Sequence, residues 1–324
     1  MKRILFFVIT CMILLSGYGC KQSITENQTD PYVARRIQSG KSIGFSVAGF
    51  AAPYFSVLID YAKLEALEND VYLYVKDAKW NTVQQSADID EFIGLGVDAI
   101  CVIPIDSKQI IPSFEKVKKA DIPLIDVNVQ HDPQAEGLID CFVGASMTKQ
   151  AAMAAESLMG LMKEDDTNII MLEGAAGNFA TIGRAKGFEE MIAGTRFKII
   201  GRAYTGWEKD KAEEIMKEML EKYDDIDALY AHDDDIAIGA IQAIKASGRA
   251  GEFPIVSISG NIDGYEAIKR GEILSTVSQP PDWEGIMAIR VAIDLMEGRE
   301  VKKWIETPVA LVTKENVSEY KGLW

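Results

Sequence analysis

The sequence predicts two doubly wound α/β lobes, each a parallel sheet wrapped by helices, joined by a multi-strand hinge. From Lys41 onward, short apolar runs rich in Val and Ile alternate with helix-patterned segments. Runs of that kind need cover on both faces, as the strands of a parallel sheet do. The alternation completes one set and then starts again, which fits a chain too long for one ordinary core. The last strand-like runs come after the second set is essentially complete, so the chain must cross back to the first lobe and return.

The elements follow in order. Residues 42–48 read as a strand, 54–68 as a helix, 71–75 as a strand and 82–95 as a helix. Residues 98–103 are a strand, 107–120 a helix and 123–127 a strand. The second set opens with a strand at 141–144 and a helix at 148–162. Strands at 168–172, 197–202, 227–230 and 254–258 then alternate with helices at 183–193, 209–222, 235–247 and 264–270. Gly94, Gly96 and Gly248 stand where helices should stop. A strand at 274–278, a helix at 283–297 and a strand at 307–312 complete the chain. The implied division is 41–144 plus 280–306 for the N-terminal lobe and 145–279 plus 307–324 for the C-terminal lobe. In open parallel sheets ligands bind at the carboxyl ends of the strands, so two facing lobes should enclose a cleft.

Residues 1–19 read as a secretory signal peptide: Lys2 and Arg3, an apolar run over 4–15, small residues, then Cys20. That run falls short of the roughly 20 apolar residues a bilayer span needs, and no later run is longer. Gly17-Tyr18-Gly19-Cys20 reads in two ways. A small residue before Cys20 resembles a bacterial lipobox, with Cys20 lipidated, whereas Gly17-x-Gly19 suits ordinary signal peptidase. Residues 20–40 begin with a polar stretch and read as a flexible tether. The chain is therefore expected to be exported, either periplasmic or held at the cell membrane only through a lipid anchor, and monomeric.

The formal net charge is −15, and losing Lys2 and Arg3 makes it two units more negative. No basic stripe exists to neutralise phosphates, which excludes nucleic acid as a partner. Cys101 and Cys141 sit inside apolar strand-like runs and read as buried free thiols, with no CxxC pair to hold a metal or run redox chemistry. Only His131 and His232 are present, far apart in sequence, and GxSxG, GxxxxGK[ST] and HExxH are all missing. The Gly-rich segment 173–177 reads as a tight βα turn.

What gathers at strand ends is aromatic and hydrogen-bonding. Tyr54 and Phe55 follow the first strand, Asn128 the fourth, Trp207 the strand near Tyr204, Asp233 to Asp235 the strand near Tyr230, and Gln279 the strand at 274–278. One of the three acids is expected to cap the following helix. Carbohydrate recognition needs these residue types. Rings cover the apolar C–H faces of a sugar, and planar polar groups pair with its hydroxyls.

The segments IGFSVAGFAAPYF, GVDAICVIPIDS, ADIPLIDVN, GRAKGF, ALYAHDDDIAIGAIQAIKASG and ILSTVSQPPDWEG resemble the ribose/galactose-type periplasmic binding proteins (type I, LacI-like fold). The resemblance covers about residues 41–312. It implies the ligand-capturing component of a sugar ABC transporter, working with a permease, without cofactor or metal, and not an enzyme. It implies Phe55 as a ring-stacking residue with Tyr54 beside it, and Trp207 as the facing aromatic from the second lobe. Asn128 takes a hydroxyl-binding position, Arg184 of GRAKGF matches the site arginine, Asp233 takes a position often held by Asn, and Gln279 lies at the hinge edge.

The departures are Ala52, where Asn or Asp is common, Val129, where ribose binders carry Arg, and Ser259, where an Asp usually binds hydroxyls. These argue against ribose. The turn at 163–168 is too short for the 12-residue calcium loop of the galactose binders, so no calcium is expected. One Arg balanced by one Asp favours a neutral monosaccharide or polyol. A ligand-binding sensor that presents its closed form to a membrane chemoreceptor or kinase is the alternative. A repressor-like regulator would need a helix-turn-helix where the leader stands.

Overall fold

The computed structural model describes residues 40–162 and 166–324. The leader, Cys20 and the tether up to residue 39 lie outside them, as do residues 163–165 of the turn compared with the calcium loop.

In chain order the first set is β1 (Ser42–Val47), α1 (Pro53–Glu68), β2 (Tyr72–Asp77), α2 (Thr82–Leu95), β3 (Ala99–Val102), α3 (Ile111–Lys119), β4 (Leu124–Val127) and β5 (Cys141–Gly144). The second is α4 (Met147–Leu161), β6 (Thr167–Glu173), α5 (Phe179–Ile192), β7 (Phe197–Tyr204), α6 (Lys209–Lys222), β8 (Ala228–Ala231), α7 (Asp234–Ala246), β9 (Ile255–Ser259), α8 (Ile262–Arg270) and β10 (Ser275–Ser278). The chain ends with α9 (Pro281–Met296), β11 (Trp304–Glu306) and β12 (Ala310–Thr313).

Two α/β lobes result. The first sheet runs β2-β1-β3-β4-β5-β11 and is parallel throughout. The second repeats the order as β7-β6-β8-β9-β10-β12, parallel except for its edge, where β12 runs antiparallel to β10. The chain passes between the sheets three times: from β5 to β6, from β10 to α9, and from β11 to β12.

Every residue of β3, β4 and β5 is buried, because helices cover both faces. Ile89, Phe92, Phe114 and Val117 of α2 and α3 pack over Ile100 and Leu124. In the second lobe Ala151, Leu158 and Phe188 of α4 and α5 cover one face, and Met216, Ile236, Ile241 and Ile268 of α6 to α8 cover the other. Each such large side chain taken out of water contributes about 1.5–3 kcal/mol. α9 returns to the first lobe and lies against α1 so closely that a Cβ at Gly285 would strike the Leu58 carbonyl.

Some local expectations shift. α5 begins at Phe179 rather than near 183, because Asn178 Oδ1 accepts from the N–H groups of Ala180 and Thr181. α3 begins at Ile111 rather than 107, since Asp106 Oδ1 folds the preceding residues into a turn by accepting from the N–H groups of Lys108 and Gln109. Gly94 lies inside α2, and Gly96, at φ 66°, ends it. The strand expected from 307 starts at Ala310, because the Thr307 N–H still bonds Gly144 of the first sheet. Cys101 and Cys141 are free thiols and buried.

Candidate functional site

A cavity of about 570 Å³ opens where the carboxyl ends of both sheets face each other, a size ordinary for a small-molecule site. The first lobe lines it with Ala48 and residues 51–55 after β1, Trp80 after β2, Pro104 after β3, and Asn128 and Val129 after β4. The second lobe contributes Ala175 and Asn178 after β6, residues 206–209 after β7, Asp233 and Asp235 after β8, and Ser259 after β9. The site therefore lies at the strand ends of both sheets, as doubly wound topology requires.

Phe55 occupies the first turn of α1, which Pro53 opens with a φ already suited to a helix. Its ring meets Tyr54 edge-on at 5.8 Å and is only 7% exposed. Trp207 stands just ahead of α6. Its indole lies over Gly174, where a Cβ would run into the ring, and the Arg184 guanidinium lies 5.7 Å from the ring centroid. Trp324 also reaches the cavity and meets Tyr54 edge-on at 5.2 Å. Four of the non-glycine residues lining the cavity have positive φ: Trp80 at 57°, Asn128 at 66°, Trp207 at 69° and Ser259 at 133°. Such backbone costs roughly 1–3 kcal/mol per residue and persists where the surroundings over-determine it, often at binding sites.

Arg184 projects from α5 and is buried. Nη1 donates to the His232 carbonyl at 2.6 Å, and Nη2 donates to Gln150 Oε1 and Gln279 Oε1, each at 3.3 Å. Its Nε is buried without a protein partner. Burial holds the Arg184 pKa below its ordinary value, but a guanidinium starts so high that it stays cationic. Burial and the neighbouring Arg184 push His232 well down, so its imidazole is neutral.

The three consecutive acids separate into three roles. Asp233 is itself the cap of α7, accepting from the Ile236 N–H at 2.8 Å while lining the cavity. Burial, and then the charge of Asp235, push its carboxyl up to about 8. Asp234 is fully buried and accepts from Ser257 Oγ, Thr276 Oγ1 and the N–H groups of Gly260 and Asn261, at 2.6 to 3.0 Å. It thereby fixes the turn that carries Ser259. Asp235 lines the cavity and accepts from Asn261 Nδ2 at 3.0 Å.

Seven of the eight residues singled out from the sequence line this one cavity: Tyr54, Phe55, Asn128, Arg184, Trp207, Asp233 and Ser259. Gln279 does not. It is 2% exposed and sits beneath, its Oε1 taken by Gln150 and Arg184 and its Nε2 donating to Glu284. Glu284 is fully buried and accepts four hydrogen bonds: from Tyr54 and Asn128 on Oε2 at 2.8 Å, and from Gln279 and Thr307 on Oε1 at 2.8 and 2.7 Å. Burial raises its pKa against the pull of those donors. The sequence did not single out Glu284, Asn178, Trp80 or Trp324, and it offered Asp235 only as part of the acidic run 233–235. Of the first four, only Trp80 carried a readable signal, since it precedes its helix as Trp207 precedes α6.

Residues 43–300 match the family described as periplasmic binding protein domain. The ribose import binding protein RbsB of Bacillus subtilis is 29% identical over 275 residues, covering 85% of this chain and 88% of that one. The xylitol-binding protein of Mycolicibacterium smegmatis is 31% identical over 255 residues, covering 78% and 71%. The structure of an ABC transporter solute binding protein from Bacillus halodurans with bound myo-inositol superposes with a TM-score of 0.82 at 28% identity, covering 86% of this chain and 96% of the other. The family match begins in β1 and ends beyond α9, so it takes in both lobes and two of the three crossings between them, and the chain belongs to the periplasmic binding protein family.

Proposed function

We propose that this chain is the extracytoplasmic solute-binding component of an ABC importer, capturing a neutral monosaccharide or polyol in the interlobe cleft and presenting it to a permease. The observation that carries this reading is the chemistry of the shared cavity. Phe55 and Trp207, from different lobes, offer ring faces to the C–H surfaces of a ligand, and Arg184, Asn128, Asp233, Tyr54 and Ser259 offer polar groups to its hydroxyls. Gln279 acts from beneath, by positioning Arg184.

Charge agrees with a neutral ligand. Arg184 and Lys209 face Asp233, Asp235 and Glu208, and a carboxyl raised to about 8 leaves Asp233 largely protonated at neutral pH. The relatives named above bind ribose, xylitol and, in the solved structure, myo-inositol, all uncharged polyhydroxyl compounds. Val129 and Ser259 still argue against ribose for this chain. The import name of the ribose-binding relative favours transport over presentation to a membrane receptor.

The lobes divide at 41–144 plus 280–306 and 145–279 plus 307–324, and the protein acts as a monomer that binds without turnover. Its leader exports it, and Cys20 carries the lipid that holds it at the membrane. Cys20→Ala should release it from the membrane fraction or block its maturation, and unchanged membrane association and mobility would count against the anchor. The binding reading is tested by thermal shift against monosaccharides, disaccharides, polyols and nucleosides. A ligand at about 100 times its Kd stabilises by roughly 2.7 kcal/mol, several degrees of Tm for lobes of this size. A broad panel in which no sugar or polyol moves the transition would defeat it.

A further inference from the structure

Because both sheets share one strand order, each position in one lobe has a counterpart in the other. Trp207 stands three residues beyond β7, the second strand of its set, directly ahead of Glu208, the N-cap position of α6. Trp80 stands three residues beyond β2, the second strand of the other set, directly ahead of Asn81, the cap of α2. Both tryptophans are left-handed, at φ 57° and 69°. Both indoles lie over a glycine just past the first strand of their set. A Cβ at Gly49 would come within 2.5 Å of Trp80 Nε1, and one at Gly174 would meet the Trp207 ring. The supporting backbone matches too: the Ala78 N–H bonds the last carbonyl of β1 at 3.0 Å, and the Thr205 N–H bonds the last carbonyl of β6 at 2.8 Å.

The two rings differ in what else they do. Trp207 is partly packed into the core of its lobe. Trp80 is 42% exposed, lines the cavity, and stands 6.2 Å from Phe55 with the ring planes tilted by 41°. An exposed indole in strained backbone stabilises the fold little, so its place at the cavity calls for another reason.

We propose that Trp80 is the first lobe's counterpart of Trp207, a ligand-stacking residue that forms an aromatic corner with Phe55 and selects a closed saccharide ring over an open-chain polyol. This rests on the sugar-binding reading above. A pyranose or cyclitol presents rigid C–H faces, and two tilted aromatic planes cover adjoining parts of such a puckered surface. An open chain must first order its torsions to offer an equivalent face, which costs entropy on binding.

The test is calorimetric titration of wild type, Trp80→Ala, Trp80→Leu and Trp80→Phe with aldopyranoses, cyclitols, ribitol and xylitol. For the tightest cyclic ligand, Trp80→Ala and Trp80→Leu should weaken binding about tenfold, with Trp80→Phe within about threefold of wild type. Linear polyols should lose no more than about threefold in any variant. Leu64→Ala, exposed on α1, should bind as wild type does. Trp80→Leu keeps apolar bulk without an aromatic face, so it decides the matter if the alanine variant folds poorly. Cyclic ligands bound equally well by wild type and Trp80→Leu, or a loss as large for linear polyols, would overturn the stacking role alone. Wild-type protein that binds nothing in the panel would instead defeat the sugar-binding reading, and this proposal with it.

Discussion

Gln279 donates a 2.8 Å hydrogen bond to Glu284, and that bond joins the end of β10 in the second lobe to the first turn of α9, which packs on the first. The same Gln279 accepts from Arg184, and the same Glu284 accepts from Asn128 and Tyr54. Polar groups that line the cavity from opposite lobes are thus linked through one buried chain of hydrogen bonds. Thr307, on the last passage between the sheets, also donates to Glu284.

Glu284→Ala would leave four donors without an acceptor. Unpaired buried polar groups cost about 1–3 kcal/mol each, and partial relaxation of the site brings the expected loss to about 3 kcal/mol or more. The apo Tm should fall by several degrees, and ligand affinity should fall as well, because Asn128 and Tyr54 lose their anchor. A variant with wild-type Tm and affinity would show that the network is dispensable.

Asp233 makes stability depend on pH in a known direction. Its carboxyl titrates near 8 when folded, against about 3.9 in an unfolded chain. Folding therefore favours the protonated form. That contribution is complete below about pH 4, declines as pH rises, and is lost by the time pH has passed about 8. Asp233→Asn keeps an equally good cap on α7 and removes the titration. Between pH 5 and 9 the apo Tm of wild type should fall relative to that of the variant. Parallel traces across the range would mean that Asp233 is ionised throughout.

Phe55 and Trp207 come from different lobes, so a ligand touching both gains contacts that exist only when the lobes approach. Under the proposed function those contacts would supply the free-energy difference between open and closed forms, and the change of outline would be the signal passed on. Small-angle scattering should show the radius of gyration shrinking on addition of a saturating sugar, and Trp207→Ala should shrink less at saturation. Sugar binding with no change in wild-type radius would rule out closure while leaving binding intact.

The sequence by itself determined the alternation of strands and helices, the repetition of one lobe plan in a second, and seven residues that meet at one cavity. The fold was legible because burial of apolar faces is written in local periodicity. Tyr54, Phe55, Asn128, Trp207 and Asp233 were legible because doubly wound sheets gather their sites at strand ends, whereas Arg184, on a helix, and Ser259 were named only through the family resemblance. β11 escaped that reading: it has three residues, two of them exposed, and pairing with β5 rather than burial makes it a strand. Tertiary structure alone decided that Gln279 serves Arg184 from beneath the cavity instead of lining it. It alone made Glu284 the acceptor for Asn128, 156 residues away, and for Tyr54, 230 away. A glutamate near the start of an amphipathic helix looks like any solvated charge. Only the packing of α9 at the junction of the two sheets removes it from water, and a buried carboxylate must then be met by whichever donors the fold brings to it.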